Sequence, residues 1–416
     1  MRAAAFVYPW DVVGDPDAPR RLVDLGVQQV TLASAYHSTR ALTPRHPRHR
    51  IVTARHSAVL YPPDPARWSG RRLRPYEQQW TPSDDPGGPY AEAACALSDA
   101  GLAVHSWVVL AHNSRLGEDF ADTNVRNAFG DRYPWAPCIA RADVREYAVT
   151  LAAEAAVRPH TSGTELESCG WYGLAHLHAH DKTGGVRLGG AAQHLLSLCF
   201  CEVCQDGYAV LGADPEELRS AVVQALEPVW SGAAVAEGGP PDREGERAEV
   251  RRLLGEEAAG IFASWRATTA RRLRREAVAA VREAAAARPE GTDFRVLLHA
   301  DPAPHRVGAN AGVDPAEAAE DADGVVVPCT GSATERADAL GPFGARAADG
   351  TFTVAANFTV VAGMGGSPHT LAEDAAQARG LGAQELRLYH AGLASDADLA
   401  VVREALHGLA SSPPTR

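Results

Sequence analysis

An α/β architecture, a (β/α)8 TIM barrel, is the fold this sequence predicts, and three observations carry it. Eight short apolar runs recur along the 416 residues, several with helical stretches between them. Near-continuous apolar strands alternating with helices indicate a parallel sheet covered on both faces. Each run carries or precedes polar or aromatic residues near its end, where a barrel gathers its chemistry. The third observation is negative. No glycine-rich phosphate loop follows the first run, which argues against a doubly wound dinucleotide fold.

Taken in order, the runs are 4–8, 29–35, 103–110, 164–169, 294–299, 324–329, 352–358 and 385–390. At or just beyond their ends stand Tyr8-Pro9-Trp10, Tyr36-His37, His112-Asn113, Glu167, His299-Ala300-Asp301, Cys329-Thr330, Asn357 and Tyr389-His390. Helical patterns at 143–156, 371–380 and 396–409 precede the fourth and eighth strands and close the chain. Three elaborations interrupt the alternation. Residues 39–86, rich in Arg, Pro and His, form a long excursion over the rim between the second strand and its helix. Residues 114–142 hold Cys138 and the turn Tyr133-Pro134-Trp135. Residues 199–290 form a cysteine cluster followed by outer helices, with a flexible break in the Gly/Pro-rich stretch 231–242. The arginine-rich run 251–288 reads as a solvated outer helix. Residues 1–416 thus read as one barrel domain with insertions.

Composition narrows the function. A net charge of −12 without a basic patch argues against nucleic acid as the main partner. No run reaches membrane-spanning length, and the amino terminus lacks a long apolar core of the signal-peptide kind. Seven cysteines, an odd count, suit a reducing cytoplasm better than a secreted disulfide framework. Of the 40 basic residues only Lys182 is a lysine, which marks it as a candidate ligand contact because a compact ammonium does what arginine cannot. The same scarcity argument, at lower weight, marks Asn113 and Asn357. The rim excursion and outer helices offer surface for a homo-oligomer, although nothing in their composition demands one.

The chemistry concentrates in three places. Cys199-Phe200-Cys201-Glu202-Val203-Cys204 is a C-x-C-x2-C cluster whose three thiolates can converge on one ion, with Cys138 as the fourth ligand. Four thiolates close a tetrahedral sphere, so the expected cofactor is a structural Zn2+ rather than a catalytic one. In the fourth strand, Glu165 and Glu167 point to one face. Glu167, nearer the strand's C-terminal end, is the expected catalytic acid. Glu165, one layer deeper, either raises its neighbour's pKa or pairs with an arginine. Asp301 at the end of the fifth strand is the second carboxylate. The distance between Glu167 and Asp301 would decide whether a water molecule fits between the two carboxylates. Trp10, Trp107, Trp135 and Trp171 are rim aromatics able to stack on sugar faces, with at least two expected to be ordinary core. The third place is His176-Leu177-His178-Ala179-His180-Asp181-Lys182. These histidines either contact a polyhydroxylated or anionic ligand or, with His37, His112, His299 or Asp301, hold a second, catalytic metal. The candidate ligand contacts are therefore Trp10, His37, His112, Asn113, Trp171, His176, His178, His180, Lys182, Asn357 and Tyr389.

A glutamate after the fourth strand followed by C-x-C-x2-C and an aromatic, Tyr208, resembles the family 42 β-galactosidases and related glycoside-hydrolase barrels. The segment from Cys138 to Tyr147 is similar to the one that supplies that family's further cysteine, and the likeness covers about residues 105–210. It implies zinc on Cys138, Cys199, Cys201 and Cys204, Glu167 as the acid/base, and a carbohydrate or glycoside substrate. Two positions depart from the family. Leu166 stands where the family has Asn, and the seventh strand, with Asn357, has no carboxylate where the family places its nucleophile. The resulting expectation is a glycosidase-like hydrolase using Glu167 and Asp301 on a sugar C–O bond. The alternatives are a metal-dependent hydrolase, lyase or isomerase built on His176–Asp181, and a carbohydrate-binding barrel without catalysis.

Overall fold

Alternate residues of eight short strands face helices on one side and one another on the other, and the strands close into a barrel. The structure, a computed structural model, describes residues 1–78, 83–174, 181–232, 242–288, 293–347 and 350–411. The strands are β1 Arg2–Val7, β2 Gln29–Tyr36, β3 Ala103–Val109, β4 Gly163–Glu167, β5 Arg295–Asp301, β6 Gly324–Pro328, β7 Thr353–Thr359 and β8 Glu385–Tyr389. All run parallel in chain order. β1 pairs with β2 (Ala4↔Gln29) and with β8 (Arg2↔Glu385), so the sheet has no free edge among the eight.

The strands are followed in turn by α1 Ala18–Leu25, α2 Gly88–Asp99, α3 Ala142–Ala156, α4 Glu256–Ala286, α5 Pro315–Asp321, α6 Ala333–Gly344, α7 Leu371–Gly380 and α8 Asp396–Ser411. Their ends follow local chemistry. α1 has Pro19 in its first turn and stops at Gly26, whose φ of 96° suits a residue without Cβ. α6 starts with a reciprocal capping box between Ser332 and Glu335. None of the described helices is long and apolar enough to cross a membrane.

The three elaborations hold the barrel's upper face. The rim excursion forms a hairpin, Thr39–Leu42 with Ile51–Ala54, and its Ala41, Val52 and Ala54 pack on Tyr8 and Trp10. Its later part is anchored by the buried Glu154 of α3, which accepts from the Trp68 indole (2.8 Å), the Tyr61 hydroxyl (3.1 Å) and the Asp64 amide (2.7 Å). A second hairpin, Asn124–Arg126 with Arg132–Pro137, presents Cys138. The excursion after β4 contains helices Gly190–Leu196, Glu202–Val210, Pro215–Trp230 and Arg243–Leu254.

The expected solvated helix over 251–288 is two helices that break at Gly255, and the second is half core. α4 buries Phe262, Leu273, Val278 and Val281 together with Arg266 and Arg274. Arg274 is paired with Asp321 and Glu317, both at 3.0 Å. Burying a guanidinium requires such partners. They come from α5, distant in sequence, which is why helix periodicity alone misreads the face.

Candidate active site and metal centre

The period of two sends Glu165 and Glu167 inward from β4, with His105 and Trp107 from β3 and Glu385, Arg387 and Tyr389 from β8. These residues form two storeys. In the lower one Glu165 accepts from Arg387 Nε at 2.6 Å, and Arg387 Nη1 also donates to Glu385 at 2.9 Å. Arg295 donates to Glu385 (2.9 Å) and to the Thr353 hydroxyl (2.8 Å). The rings of His105 and His299 stand 3.6 and 3.7 Å from the Glu165 carboxylate. Burial opposes charge on Glu165, but Arg387 and these rings outweigh it and hold the carboxyl well below its usual range. Burial drives His105 toward its neutral form. The storey is therefore two arginines against two carboxylates, balanced. Of the two expectations for Glu165, pairing with an arginine is the one the geometry presents.

In the upper storey the Trp107 indole donates to Glu167 Oε2 at 2.7 Å, the one hydrogen bond this carboxylate makes to a described residue. Around it stand Phe6, edge-on to Trp107 at 4.7 Å, and Tyr36 at 4.5 Å. Tyr8 stacks on Trp10 at 4.3 Å and shares a 3.2 Å hydroxyl–hydroxyl contact with Tyr36. Tyr389 packs on Phe6 at 5.5 Å. Burial first, and then the field of Tyr389 and the charge of Glu167, push the phenols of Tyr8 and Tyr36 well up. They stay neutral and can donate or accept. His390, fully buried and stacked on Tyr8 at 4.2 Å, has no hydrogen-bond partner on either ring nitrogen among the described residues. Burial, with Arg45 nearby, depresses its pKa to about 3. Directly after Glu167, Ser168 adopts a φ of 55°, a strained value for a side chain with Cβ, as the chain leaves the barrel.

The other predicted residues divide. His37 stacks on Tyr36 at 4.1 Å and meets His112 edge-on at 5.2 Å, so both belong to the upper storey's margin. His112 in turn stacks on Tyr172 at 4.5 Å, and its Nδ1 lies 3.0 Å from the Trp135 carbonyl. Trp10 is wholly buried beneath the rim hairpin. Asn357 lies at the C-terminal part of β7 beside Arg387 and Pro328, its Oδ1 buried without a hydrogen bond. Asp301 is engaged: Arg243 donates to both oxygens (3.0 and 2.8 Å), and the Ala303 amide donates at 2.9 Å. Asn113 caps the helix Ser114–Asp119, its side chain accepting from Leu116 N at 3.0 Å, and it lines a small cavity with Tyr36 and His112. Trp171 is core, its indole donating to the Arg266 carbonyl at 2.9 Å beneath the Arg266 guanidinium. Helix capping and helix–barrel packing use the same residue types as ligand binding. Lys182 and Asp181 are exposed just before the turn Thr183–Gly185. His176, His178 and His180 lie outside the described residues.

Tyr8, Tyr36, His390 and Arg387 are site residues that the reasoning from sequence did not select. Their signal was present: Phe6/Tyr8 and Glu385/Arg387/Tyr389 alternate at the period of a strand's inner face.

A four-cysteine cluster gathers outside the barrel interior. Cys138 from the second hairpin, Cys199 and Cys201 from the turn before Glu202–Val210, and Cys204 from that helix are all buried, with their sulfurs within 4.8 Å of one another. From Cys138 Sγ the other three are 3.6, 3.6 and 3.7 Å away, far outside disulfide length. The Tyr208 hydroxyl donates to the Cys199 carbonyl at 2.8 Å and the Cys138 amide to Thr123 O at 2.7 Å, which fix the two backbones that supply the thiols. Such a cluster can hold one metal ion.

Comparison with known proteins adds the fold. No protein-family model matches the sequence, and no curated protein is detectably similar to it. Among solved structures, alpha-L-fucosidase isoenzyme 2 from Paenibacillus thiaminolyticus superimposes with a TM-score of 0.52 at 12% identity, over 99% of this chain and 50% of its own. A beta-galactosidase from the psychrophilic Marinomonas ef1 gives 0.52 at 11% identity, over 99% and 60%. A GH42 beta-galactosidase from G. stearothermophilus gives 0.50 at 11% identity, over 98% and 56%. The chain shares the barrel fold of these glycoside hydrolases and spans about half to three-fifths of their length.

Proposed function

We propose that this chain binds a carbohydrate at the C-terminal mouth of its barrel and cleaves a glycosidic or similar sugar C–O bond, with Glu167 as general acid. The observation that carries the reading is the Trp107–Glu167 pair. A carboxyl at the end of β4 is oriented through one oxygen, keeps the other without a bond to any described residue, and is walled by aromatic rings. Proton transfer needs such a fixed donor, and aromatic faces suit sugar C–H faces. Tyr8, Tyr36 and Tyr389 supply neutral hydroxyls for sugar hydroxyls. Asp301, as partner base, would have to exchange its Arg243 contacts for a water molecule. The cysteine cluster is proposed to hold structural zinc. A tetrahedron with Zn–S bonds of about 2.3 Å has edges of about 3.8 Å, close to the separations around Cys138. Its chemistry there is to join the second hairpin to the helix Glu202–Val210.

A carbohydrate-binding barrel without turnover is the second reading. It is favoured by Asn357 on β7 and by the closed Asp301–Arg243 pair, which leave Glu167 without an available carboxylate partner among the described residues. Turnover of a panel of aryl glycosides and oligosaccharides, in the parent and in Glu167→Gln, decides. Loss of turnover with sugar binding retained supports the general acid. A parent that binds sugars without turnover supports the binder.

A further inference from the structure

The excursion after β4 encloses a second pocket that the barrel chemistry does not use. Its walls are the helix Arg243–Leu254, the first half of α4, His194 and the loop Pro304–His305 after β5, and it offers about 340 Å³. Small side chains of α4, Ala259, Gly260 and Ala263, make room. At the base lies Arg266, only 3% exposed. Its Nη1 donates to the Ser197 carbonyl at 3.2 Å and its plane covers Trp171, but Nε and Nη2, both buried, have no hydrogen-bond partner among the described residues. Two donors of a buried guanidinium left unmade are costly unless something else accepts from them. At the open side stand Arg247 and Arg251, on one face of their helix at i and i+4. Their carboxylate contacts are long, 4.0 Å to Glu244 and 3.9 Å to Glu256, and the Glu256 side chain is itself 85% exposed. The His305 ring is tied to Glu246 through Nε2 at 2.8 Å, while its buried Nδ1 has no partner among the described residues. Three arginines against Glu256 thus line one cavity in a chain of net charge −12.

We propose that this pocket binds a small molecule through an oxyanion, a phosphate, sulfate or carboxylate group, with Arg266 at its base and Arg247 and Arg251 closing on the charge from the open side. A planar guanidinium with two free N–H groups matches such an oxyanion in a fork. The volume accommodates a ligand of monosaccharide size attached to the anion. The site is separate from Glu167 and stands whether or not the barrel mouth turns over a sugar.

The test is calorimetric titration of the full-length chain with inorganic phosphate, inorganic sulfate, glucose 6-phosphate, glucuronate and neutral glucose, at low and at high salt. The expected result is binding of at least one anion, weakened by salt and weakened at least about tenfold in Arg247→Ala/Arg251→Ala. Those positions are on the surface, so the variant keeps its fold. Arg266→Gln is expected to abolish binding, with metal content per chain as the control for its nearness to the cysteine cluster. Tighter binding of glucose 6-phosphate or glucuronate than of the inorganic ions would assign a sugar-borne anion, and the reverse would assign the bare ion. No binding of any anion at millimolar concentration, equal binding of neutral glucose, or affinity unchanged in the double variant would overturn the proposal.

Discussion

Arg387 and Glu165 meet at 2.6 Å inside the barrel with neither side chain exposed to solvent. The pair joins β8 to β4 across the interior, where most parallel barrels place branched apolar side chains. Removing one partner leaves the other charge buried alone. Arg387→Met is therefore expected to cost roughly 3–5 kcal/mol, measured by denaturant unfolding at pH 7. A loss below about 1 kcal/mol would mean that Glu165 is neutral in the folded chain.

The same pair sets an acid limb. The folded-state pKa of Glu165 is depressed, so its contribution is fully present above the unfolded value, about 4.3, and is lost as pH falls through the lower folded value. Unfolding free energy measured from pH 6 down to pH 2.5 should fall in the parent, and less steeply in Glu165→Gln.

Asp11 has the opposite sign. Its Oδ2 accepts from the Tyr8 amide at 2.8 Å while Oδ1 is buried without a partner among the described residues, and burial raises its pKa to about 7. The folded state thus binds this proton more tightly than the unfolded chain. Stability conferred by the protonated carboxyl is complete below about pH 4 and lost as pH rises through about 7. Asp11→Asn should be more stable than the parent at pH 8, by roughly 1–3 kcal/mol, and equal to it near pH 4. Equal stability at both values would count against the buried proton.

Trp107→Phe tests the orientation of Glu167. It keeps an aromatic ring against Phe6 and Tyr36 and deletes the 2.7 Å donor. If Glu167 transfers a proton, kcat should fall about tenfold to a hundredfold with sugar affinity little changed, whereas Glu167→Gln should cost about 10²–10⁴. An unchanged kcat in Trp107→Phe alongside an inactive Glu167→Gln would show that the indole is only packing.

One tightly held zinc per chain is expected by elemental analysis, resistant to mild chelation because the four sulfurs are buried. Cys201→Ser should release it and lower the melting temperature, since the free energy of metal binding to the folded site adds to the stability of the fold. A metal-free parent with four titratable thiols and full stability would reject the site.

Much of this protein is legible in its sequence, and the reason is periodicity. The eight apolar runs appear as β1–β8 within a few residues, because a strand covered on both faces must be apolar and short wherever it is found. The C-x-C-x2-C spacing brings three thiols together by chain geometry alone, and Cys138 joins them in the fold. Which face of a strand looks inward follows from the period of two, and so Glu165 and Glu167 appear as a pair.

What the inward residues meet is decided only by closure of the barrel. Arg387 is 222 residues from Glu165, and no local pattern distinguishes a glutamate held by a buried arginine from one free to act. Asp301 reads as an available base until Arg243, from a helix of the excursion, covers both its oxygens. Asn113 and Trp171 have the composition of ligand contacts, and only the fold shows that a helix end and the packed α4 engage them. The pocket at Arg266 needs α4, the helix Arg243–Leu254 and the loop after β5 in one place before it exists. Periodicity is a property of the chain and survives in its sequence. Partnership between charges is a property of distance, and distance between remote residues is set only when the fold closes.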